Sequence, residues 1–559
     1  MCGIICICLN SESNQKNLEN IFGIFKESIN KRGPDWFGTN TYYSKNYHLL
    51  FAASVLWLQG KYMAKQPLQD DRYVIIYNGD IFGGLSSELT LEEGDTKVLF
   101  RLMHNTSNIA TTLAQLQGPY SFIYFDKIEE KLYFGRDIYG RRSLLVGKHN
   151  EAIILTSVAK RAREYDFIEL PSIGTFSLDM KTNQLLIFPW KHCNPNFDSK
   201  LTELKEFLKK DIVIVEHELG NSDYIKFVEP SSEQLHFYKN ITSSESRNIF
   251  EKLINIPDWL NRILVLKNLL ENSVEKRIAN QPKYCKNCIS EKKTCRHSST
   301  GVLFSGGIDC AILALLADKF VDKSRPIDLI NVAFNESNNY QTPDRLTSIK
   351  TLEELRQLRP EREWHFLEVN VPKEELNDAR DKYIADLVYP LTSILDDSLG
   401  CALWFASRGK QETVMSTCRV LVVGMGADEL FGGYTRHRGA LKKKGWLGLH
   451  NVLLEDWQNL PYRNLGRDDR VVSDHGRQLR TPYLDENFVQ YVRSLNSWEK
   501  TFPSEDIPQG IGEKILLRSL GYYLGLKNAS AFKKRALQFG SRIANRKEKA
   551  HYVSKRLCS

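Results

Sequence analysis

Cys2 is the first residue of the chain whose type and position could support catalysis. It directly follows the initiator methionine, so removal of that Met would leave a thiol and a free α-amino group on the same residue. An α-amino group has an ordinary pKa of about 8 and can act as general base for the neighbouring thiol. The sequence predicts attack by Cys2 on an amide carbonyl, whereas Cys6 and Cys8, inside the apolar run IICIC, are interpreted as core cysteines.

A glycine-containing turn in the second half of the chain could bind phosphate. The apolar segment GVLF leads into Ser305, Gly306 and Gly307, and an apolar helical pattern follows. Glycines let the backbone approach an anion closely, and the N–H groups at a helix start favour negative charge. Asp309 at this helix start would repel phosphate unless a cation lies between them, which indicates Mg²⁺.

A second carboxylate follows a later apolar strand, in the segment VVGMGADELFGGY. Asp428 lies there a few residues after Gly424. Loops at the carboxyl ends of parallel strands meet at one edge of the sheet, where ligands bind. The sequence therefore predicts that Asp309 and Asp428 converge on one magnesium ion.

The stretch YCKNCISEKKTCRH contains four possible metal ligands, Cys285, Cys288, Cys295 and His297. The first pair has a zinc spacing, and four nitrogen and sulfur ligands could complete a tetrahedron. The second pair is separated by one residue, which is closer than usual in zinc fingers. The sequence thus favours a solvated loop with free thiols over a zinc site.

The pattern of apolar residues changes along the chain. Short β-rich runs up to about residue 190 are interrupted by amphipathic stretches at 18–30 and 95–116, which is typical of an α+β domain with helices covering sheets. Beyond about residue 256, helices and strands alternate, which predicts a parallel sheet with right-handed crossovers. The predicted organisation is a first domain at 2–190, a linker or irregular connection at 191–255, a second domain at 256–545 and a basic tail at 546–559.

Composition narrows the class of protein. The 559 residues are 42% hydrophobic and 26% charged, and no apolar run reaches the length of a membrane span. The eleven cysteines and a start without a basic leader favour reduced thiols and a cytoplasmic location, with no membrane partner. Nine Lys and Arg against one Glu after residue 532 make the C-terminus basic. Binding to nucleic acid is not expected, although an RNA or nuclear-import patch stays open beside a solvated or anion-facing tail.

The N-terminal motifs resemble those of the class II glutamine amidotransferases, the Ntn-type glutaminase domain of asparagine synthetases. This resemblance implies a four-layer αββα sandwich, with Asn78 and Gly79 forming the oxyanion hole and Asp95 binding the amino group of glutamine. The family's arginine for the glutamine carboxylate is matched here by Val55, and Arg32 is the candidate substitute. The motifs are MCGI at the start, KRGPDWFG at 31–38, YNGDIF at 77–82 and EEGDTKVLF at 92–100.

The C-terminal motifs resemble the ATP-pyrophosphatase domain of the same synthetases, an α/β parallel-sheet fold of the adenine nucleotide alpha hydrolase type. They are SGGIDC at 305–310, TPDR at 342–345, GADELFGGY at 426–434, RTPYLD at 480–485 and GIGEKILLR at 510–518. Asp309 and Asp428 would then hold Mg²⁺. The implied ATP-binding residues are Leu303, Ser305, Gly306, Gly307, Asp309, Phe334, Gly424 and Lys514.

Several positions depart from the synthetase pattern. Met425 stands where the family has a glutamate that serves adenylation and amide formation, and Cys310 replaces a serine. Asp396 and Asp397 invert the charge expected on the substrate side. These departures, together with the polar connection, are similar to those of the asparagine synthetase domain-containing protein 1 family.

The resemblance implies amidation that depends on glutamine, ATP and Mg²⁺, with conversion of aspartate to asparagine as the family reaction and small molecules as partners. Two alternatives stay open. The chain could be a scaffold that keeps the fold and ATP binding without turnover, or a ligase for another acceptor, such as a cationic one. The sequence leaves the oligomeric state open.

Overall fold

The computed structural model describes residues 2–11, 15–84, 92–106, 108–149, 152–162, 164–190, 196–215, 227–242, 248–544 and 548–557. Their strands form two facing sheets in the N-terminal domain and one parallel sheet in the C-terminal domain. Two domains are present, as the sequence predicts, but the N-terminal one includes a strand at Ile212–Ile214, beyond its predicted end at residue 190. None of the described helices is long and apolar enough to cross a membrane.

The first sheet of the N-terminal domain is antiparallel. Its strands are β1 (Gly3–Asn10), β2 (Trp36–Tyr43), β3 (Tyr47–Val55), β8 (Leu145–His149), β9 (Ala152–Thr156) and β10 (Asp166–Glu169). They lie in the order β10-β8-β9-β1-β3-β2, so the strand that follows Cys2 is central in the sheet. Its neighbour β3 pairs with it in a register that places Gly3 opposite Ser54.

The second sheet has seven strands. They are β4 (Leu68–Gln69), β5 (Tyr73–Gly79), β6 (Tyr120–Asp126), β7 (Lys131–Arg136), β11 (Gly174–Asp179), β12 (Gln184–Pro189) and β13 (Ile212–Ile214). Their order is β13-β12-β11-β7-β6-β5-β4, and only the β12–β13 pair is parallel.

The two sheets pack face to face because apolar residues alternate along their strands. In β1, Ile4, Cys6 and Cys8 belong to the core between the sheets, whereas Ile5 and Ile7 belong to the cluster that includes the first helix. The interpretation of Cys6 and Cys8 as core residues is therefore confirmed. The helices of this domain are α1 (Gln15–Arg32), α2 (Asp95–His104) and α3 (Ile109–Ala114). Helix α1 packs on the first sheet and α2 on the second, which gives helix, sheet, sheet and helix layers.

The described parts of 191–255 contain regular elements, unlike the irregular connection that the sequence predicts. They form α4 (Phe197–Leu208), the edge strand β13, α5 (Ser232–Thr242) and α6 (Asn248–Ile254). Buried apolar residues hold α4 in place, among them Leu201 and Leu204 in the core between the sheets. Short amphipathic helices in a polar stretch give a weak periodic signal, which explains the difference.

The C-terminal domain is built on a five-stranded sheet whose neighbouring strands are all parallel. Its strands are β14 (Thr300–Leu303), β15 (Ile327–Ala333), β16 (Trp364–Asn370), β19 (Val420–Val422) and β20 (Gln478–Arg480), and a separate hairpin contains β17 (Lys410–Gln411) and β18 (Val414–Met415). The order is β16-β15-β14-β19-β20, so the strands that precede Asp309 and Asp428 are adjacent.

Helices surround this sheet. In chain order they are α7 (Pro257–Ile278), α8 (Ile308–Phe320), α9 (Pro343–Leu358), α10 (Lys373–Ala379), α11 (Ala385–Val388), α12 (Ile394–Arg408), α13 (Ala427–Phe431), α14 (Thr435–Leu460), α15 (Gly466–Ser473), α16 (Glu486–Ser494), α17 (Ser497–Lys500), α18 (Ile515–Tyr523) and α19 (Leu537–Gly540). Helix α8 is buried along most of its length, which fixes the position of its N-terminus.

The domains are joined by apolar packing and buried ion pairs. Phe25 and Ile29 of α1 belong to the same buried cluster as Val471 of α15. Arg32 Nη2 lies 2.6 Å from the Asp469 carboxylate, and Asp469 also accepts a hydrogen bond from Arg142 Nη1 at 3.3 Å. Buried ion pairs specify which groups must meet, so these contacts fix one arrangement of the two domains.

The basic C-terminal segment packs against the protein in its described part, 548–557. Ser554 Oγ donates to Asp397 at 3.0 Å, and Arg556 Nε lies 2.8 Å from the same carboxylate. Leu557 is buried, and its carbonyl accepts a hydrogen bond from Arg161 of the N-terminal domain. The segment therefore contacts both domains at the start of α12.

Candidate active sites

The first candidate site surrounds Cys2. The backbone N–H of Cys2 donates to Asn78 Oδ1 at 2.9 Å, which joins the start of β1 to the end of β5. The Asn78 Nδ2 group is buried and has no hydrogen-bond partner among the described residues. A buried amide donor without a partner is costly unless a ligand satisfies it, so this N–H group suits an oxyanion.

Gly79 continues the same strand and leaves no room for a side chain. A Cβ there would lie 2.6 Å from the Pro119 carbonyl and from the Tyr77 hydroxyl. Gln66 completes this side of the site, because its Nε2 donates to the Tyr77 carbonyl at 3.0 Å and lies 3.7 Å from Cys2 Sγ. The structure therefore brings Cys2, Asn78 and Gly79 together, as the sequence predicts.

Two carboxylates face this pocket in different electrostatic surroundings. Burial, followed by the nearby Asp80 carboxylate, raises the pKa of Asp95 to about 7. Burial would also raise the pKa of Asp80, but Arg480 and Arg142 hold it below its ordinary value. The charge of Asp95 therefore changes with pH near neutrality, whereas that of Asp80 does not. An ammonium group bound beside Asp95 would stabilise its ionised form.

The pocket holds no cation for a substrate carboxylate among its described lining residues. Val55 lines it, whereas Arg32 does not: its guanidinium is buried against Asp469, and its Nε donates to the Cys2 carbonyl at 3.3 Å. The cavity measures about 30 Å³, which is room for about one water molecule.

The second candidate site is a cleft of about 410 Å³ at the carboxyl ends of β14 and β19. Gly306 has φ of 75°, and a Cβ there would lie 2.5 Å from the Ser348 backbone nitrogen, so only glycine fits this turn. Helix α8 then begins without a side-chain cap, which leaves its first N–H groups for a ligand. Cys310 Sγ donates to the Gly307 carbonyl at 3.2 Å and thereby braces the turn.

Asp309 and Asp428 converge, as the sequence predicts, and the group between them in the structure is the ammonium of Lys514. Lys514 Nζ lies 2.6 Å from Asp309 Oδ2 and 2.5 Å from Asp428 Oδ1. Burial would raise the pKa of Asp428, but Lys514 and Lys534 hold it well below its usual range. Carboxylate oxygens that surround one position are the donors that Mg²⁺ prefers, so Asp309 and Asp428 fit that ion.

Lys514 is held in an unusual backbone conformation. Its φ of 58° lies in the left-handed region although it is not a glycine, and its N–H donates to Thr501 Oγ1 at 3.3 Å. Non-glycine residues in this region cost free energy and are concentrated at functional sites. The strain places the ammonium between the two carboxylates at the start of α18.

The other predicted ATP-binding residues occupy different places. Leu303, Ser305, Gly307, Asp309 and Gly424 line the cleft together with Asp428. Lys514 lines a small adjoining pocket with Ser305, Gly307 and Asp309. Phe334 is not among the lining residues; its ring packs edge-on against Phe405 with 6.0 Å between centroids.

Four cleft residues were not assigned as site residues in the sequence. Lys534 pairs with Asp428 at 2.5 Å, and Arg535 and Arg463 line the cleft without an ion pair among the described residues. The run of three basic residues at 533–535 could have indicated these contacts, because the sequence leaves open that the basic C-terminal region faces an anion. Glu429 also lines the cleft; burial, followed by the neighbouring Asp428, raises its pKa to about 7, and it accepts a hydrogen bond from Tyr434 Oη at 2.6 Å.

The negative charge predicted at 396–397 is neutralised in the structure. Asp396 pairs with Arg467 at 2.6 Å, and Asp397 pairs with Arg380 and Arg556 at 2.8 Å each. The cleft therefore does not present two free carboxylates on this side. Met425, in contrast, lines the cleft directly and offers no group that could transfer a proton.

Comparison with known proteins finds relatives of both domains. Residues 1–172 match the model of a glutamine amidotransferase domain, and residues 292–448 and 439–524 match that of asparagine synthase. An asparagine synthetase domain-containing protein of Drosophila melanogaster is 37% identical over all of both chains. The human asparagine synthetase domain-containing protein 1 is 34% identical over 97% of this chain and 95% of its own length. A putative glutamine-hydrolysing asparagine synthetase of Methanocaldococcus jannaschii is 24% identical over 80% of this chain and 69% of its own. The chain therefore belongs to the family of asparagine synthetase domain-containing protein 1.

Proposed function

We propose that the chain catalyses ATP-dependent amidation of a carboxylate, with glutamine as the nitrogen donor. The convergence of Asp309, Asp428 and Lys514 beside a glycine turn and a large cleft carries this proposal. The family membership supports it, because both domains of a glutamine-dependent synthetase are present. Conversion of aspartate to asparagine is the family reaction and the first acceptor to test.

In the synthetase site, the chain's own groups would bind and orient ATP. The glycine turn and the N-terminus of α8 would bind phosphate oxygens, and Lys514 would neutralise charge on the leaving pyrophosphate. Asp309 and Asp428 would hold Mg²⁺, which when bound stabilises the charge that develops on the phosphates. Because Met425 cannot transfer a proton, we assign Glu429 as the group that accepts a proton from the attacking ammonia.

In the glutaminase site, Cys2 Sγ would attack the amide carbon of glutamine. The free α-amino group would take the thiol proton and pass it to the departing ammonia, and water would then release glutamate from the thioester. Asn78 Nδ2 and the Gly79 N–H would stabilise the oxyanion. The four-layer arrangement of helices and sheets supports the assignment as an Ntn-type domain.

Two arginines of the cleft could bind an anionic acceptor. Arg463 and Arg535 line it, together with acidic residues such as Asp344 and Asp468, and the aspartates at 396 and 397 are paired with arginines. Because that pairing removes the charge on which a cationic acceptor was expected, aspartate and other carboxylic acids are the acceptors to test first. The test is pyrophosphate release from ATP with Mg²⁺, ammonia and a panel of carboxylic acids. Release that needs aspartate supports the family reaction, release with another acid alone supports a different ligase, and no release contradicts the proposal.

A scaffold without glutaminase turnover is the second candidate, and one observation favours it. The pocket around Cys2 is closed to about 30 Å³, and its described lining contains no cation for the glutamine carboxylate. On this alternative the chain would bind ATP but release neither glutamate nor pyrophosphate.

Replacing Cys2 by Ala should abolish glutamine-dependent amidation and leave ammonia-dependent amidation within about twofold of the wild type, because the thiol is the nucleophile of the first site alone. The measurement is amide formation with each nitrogen donor. Cys8→Ala, a buried cysteine of the same strand, is the matched control and should retain both activities. Loss of the ammonia-dependent reaction in Cys2→Ala alone would argue against two separable sites.

The glutaminase reaction should weaken below pH 7. Asp95 must be ionised to bind the amino group of glutamine, and burial raises its pKa to about 7, so kcat/KM should fall about tenfold per pH unit below that value. The bound ammonium group favours the ionised form, so the acid limb of kcat should lie at lower pH. If kcat/KM and kcat fell at the same pH, the group that controls the reaction would not be Asp95.

A further inference from the structure

The polar segment between α7 and β14 gathers four sulfur and nitrogen atoms at one point. The ligand atoms of Cys285, Cys288, Cys295 and His297 all lie within 4.8 Å of one another. His297 Nδ1 lies 3.4 Å from Cys285 Sγ and 3.6 Å from Cys288 Sγ. The arrangement does not belong to either site described above.

These distances agree with tetrahedral zinc coordination. With Zn–S of about 2.3 Å and Zn–N of about 2.0 Å, a tetrahedron separates sulfur from nitrogen by about 3.5 Å. The distances from His297 Nδ1 to the two sulfur atoms, 3.4 and 3.6 Å, agree with that value. Although the spacing of Cys295 and His297 is unfavourable on sequence grounds, their ligand atoms lie within 4.8 Å of each other and of the other two.

The segment that contains the four residues has few features that would hold it in place without a metal ion. Residues 281–299 contain neither helix nor strand, and of the four ligands only Cys285 is buried. Three thiolates around one Zn²⁺ leave a net charge of −1, which the flanking lysines and Arg296 would offset. In such a segment, metal binding supplies the folding free energy that burial of apolar side chains supplies elsewhere.

The segment is also attached to both domains. The Lys286 N–H donates to the Thr417 carbonyl at 2.9 Å, and Lys286 Nζ donates to the His475 carbonyl at 2.7 Å. The ring of Tyr284 lies 6.0 Å from that of Trp57, which lines the Cys2 pocket. An ordered loop here would hold the start of β14 and support the wall of the first pocket.

We propose that Cys285, Cys288, Cys295 and His297 bind one structural zinc ion. Four protein ligands fill the tetrahedron and leave no open position, so the ion would stabilise the segment rather than take part in catalysis. The site is independent of the proposed amidation, since none of its four ligands lines the cleft or the Cys2 pocket.

The test is the metal content of the full chain purified without chelator. Elemental analysis should find about one zinc ion per wild-type chain and almost none in Cys288→Ser/Cys295→Ser, whereas Cys8→Ala should keep the full content. The metal-free double variant should also have a lower Tm than Cys8→Ala. Equal zinc content in the wild type and the double variant would overturn the proposal.

Wild-type protein provides a test that does not depend on the folding of a variant. After removal of metal by a chelator, added Co²⁺ should bind once per chain and produce the visible absorption of tetrahedral cobalt with thiolate ligands, which Zn²⁺ should abolish. Stripped protein that binds neither ion, or an intact mass lower by two hydrogens that reveals a disulfide in the segment, would contradict the assignment.

Discussion

Asp309→Asn should lower ATP-dependent pyrophosphate release at least about 100-fold, because loss of one ionised magnesium ligand weakens both metal binding and charge stabilisation. The amide has the same size as the carboxylate but no negative charge for Lys514, which lies 2.6 to 2.9 Å from the Asp309 oxygens. The measurement is the initial rate of pyrophosphate release at saturating ATP and ammonia over a range of Mg²⁺ concentrations.

The matched control for this variant is Asp322→Asn. Asp322 is an exposed carboxylate just beyond the C-terminal end of α8, so it lies at the end of the helix opposite to the site. It should keep the wild-type rate. If both variants retained full activity at every Mg²⁺ concentration, the reaction would not pass through the site described here.

Asp469→Ala should destabilise the junction of the two domains by about 3 to 5 kcal/mol, because it leaves buried guanidinium groups without their partner. Asp469 is fully buried, pairs with Arg32 and Arg142, and accepts a hydrogen bond from the Ser143 N–H at 3.3 Å. The measurement is denaturant unfolding followed by probes in each domain, since a chain of this size need not unfold in one step. Arg72→Ala, which breaks a more exposed ion pair with Asp126, is the control and should have a much smaller effect.

The loss of stability caused by Asp469→Ala should become smaller as the pH falls. Burial would raise the pKa of Asp469, but Arg32 and Arg142 hold it below its ordinary value. A carboxyl with a lowered folded pKa contributes stability above its unfolded pKa of about 4, and this contribution is lost as pH falls through the folded pKa. The difference between wild type and variant should therefore persist at pH 7 and shrink in acid. A difference that grew in acid would mean that the Asp469 charge does not hold the junction.

Much of the fold could be predicted from local patterns. Alternating apolar residues predict the strands of the sandwich, and the succession of helices and strands beyond residue 256 predicts the parallel sheet. The strand β20 was missed because its three residues, Gln478–Arg480, are too few to show a period, and two of them are polar. The pairing of Arg32 with Asp469 was also missed, since 437 residues separate them and an arginine is usually exposed.

The candidate sites were predictable where a loop follows a strand directly. Asp309 and Asp428 follow neighbouring strands, so their convergence follows from the topology. Lys534 was not assigned because it reaches Asp428 from a segment without a strand or long helix. The close approach of the four zinc-ligand candidates was not predicted, since spacing along the chain does not give the distance between side chains.

The most direct test of the central claim is equilibrium binding of ATP, measured by calorimetry with and without Mg²⁺. The account predicts that the wild type binds one ATP in the presence of Mg²⁺, at least about tenfold more weakly without it, and that Asp309→Asn/Asp428→Asn loses this dependence on Mg²⁺. A wild type that binds no ATP, or that binds it equally with and without Mg²⁺, would show that the two carboxylates do not form a nucleotide site.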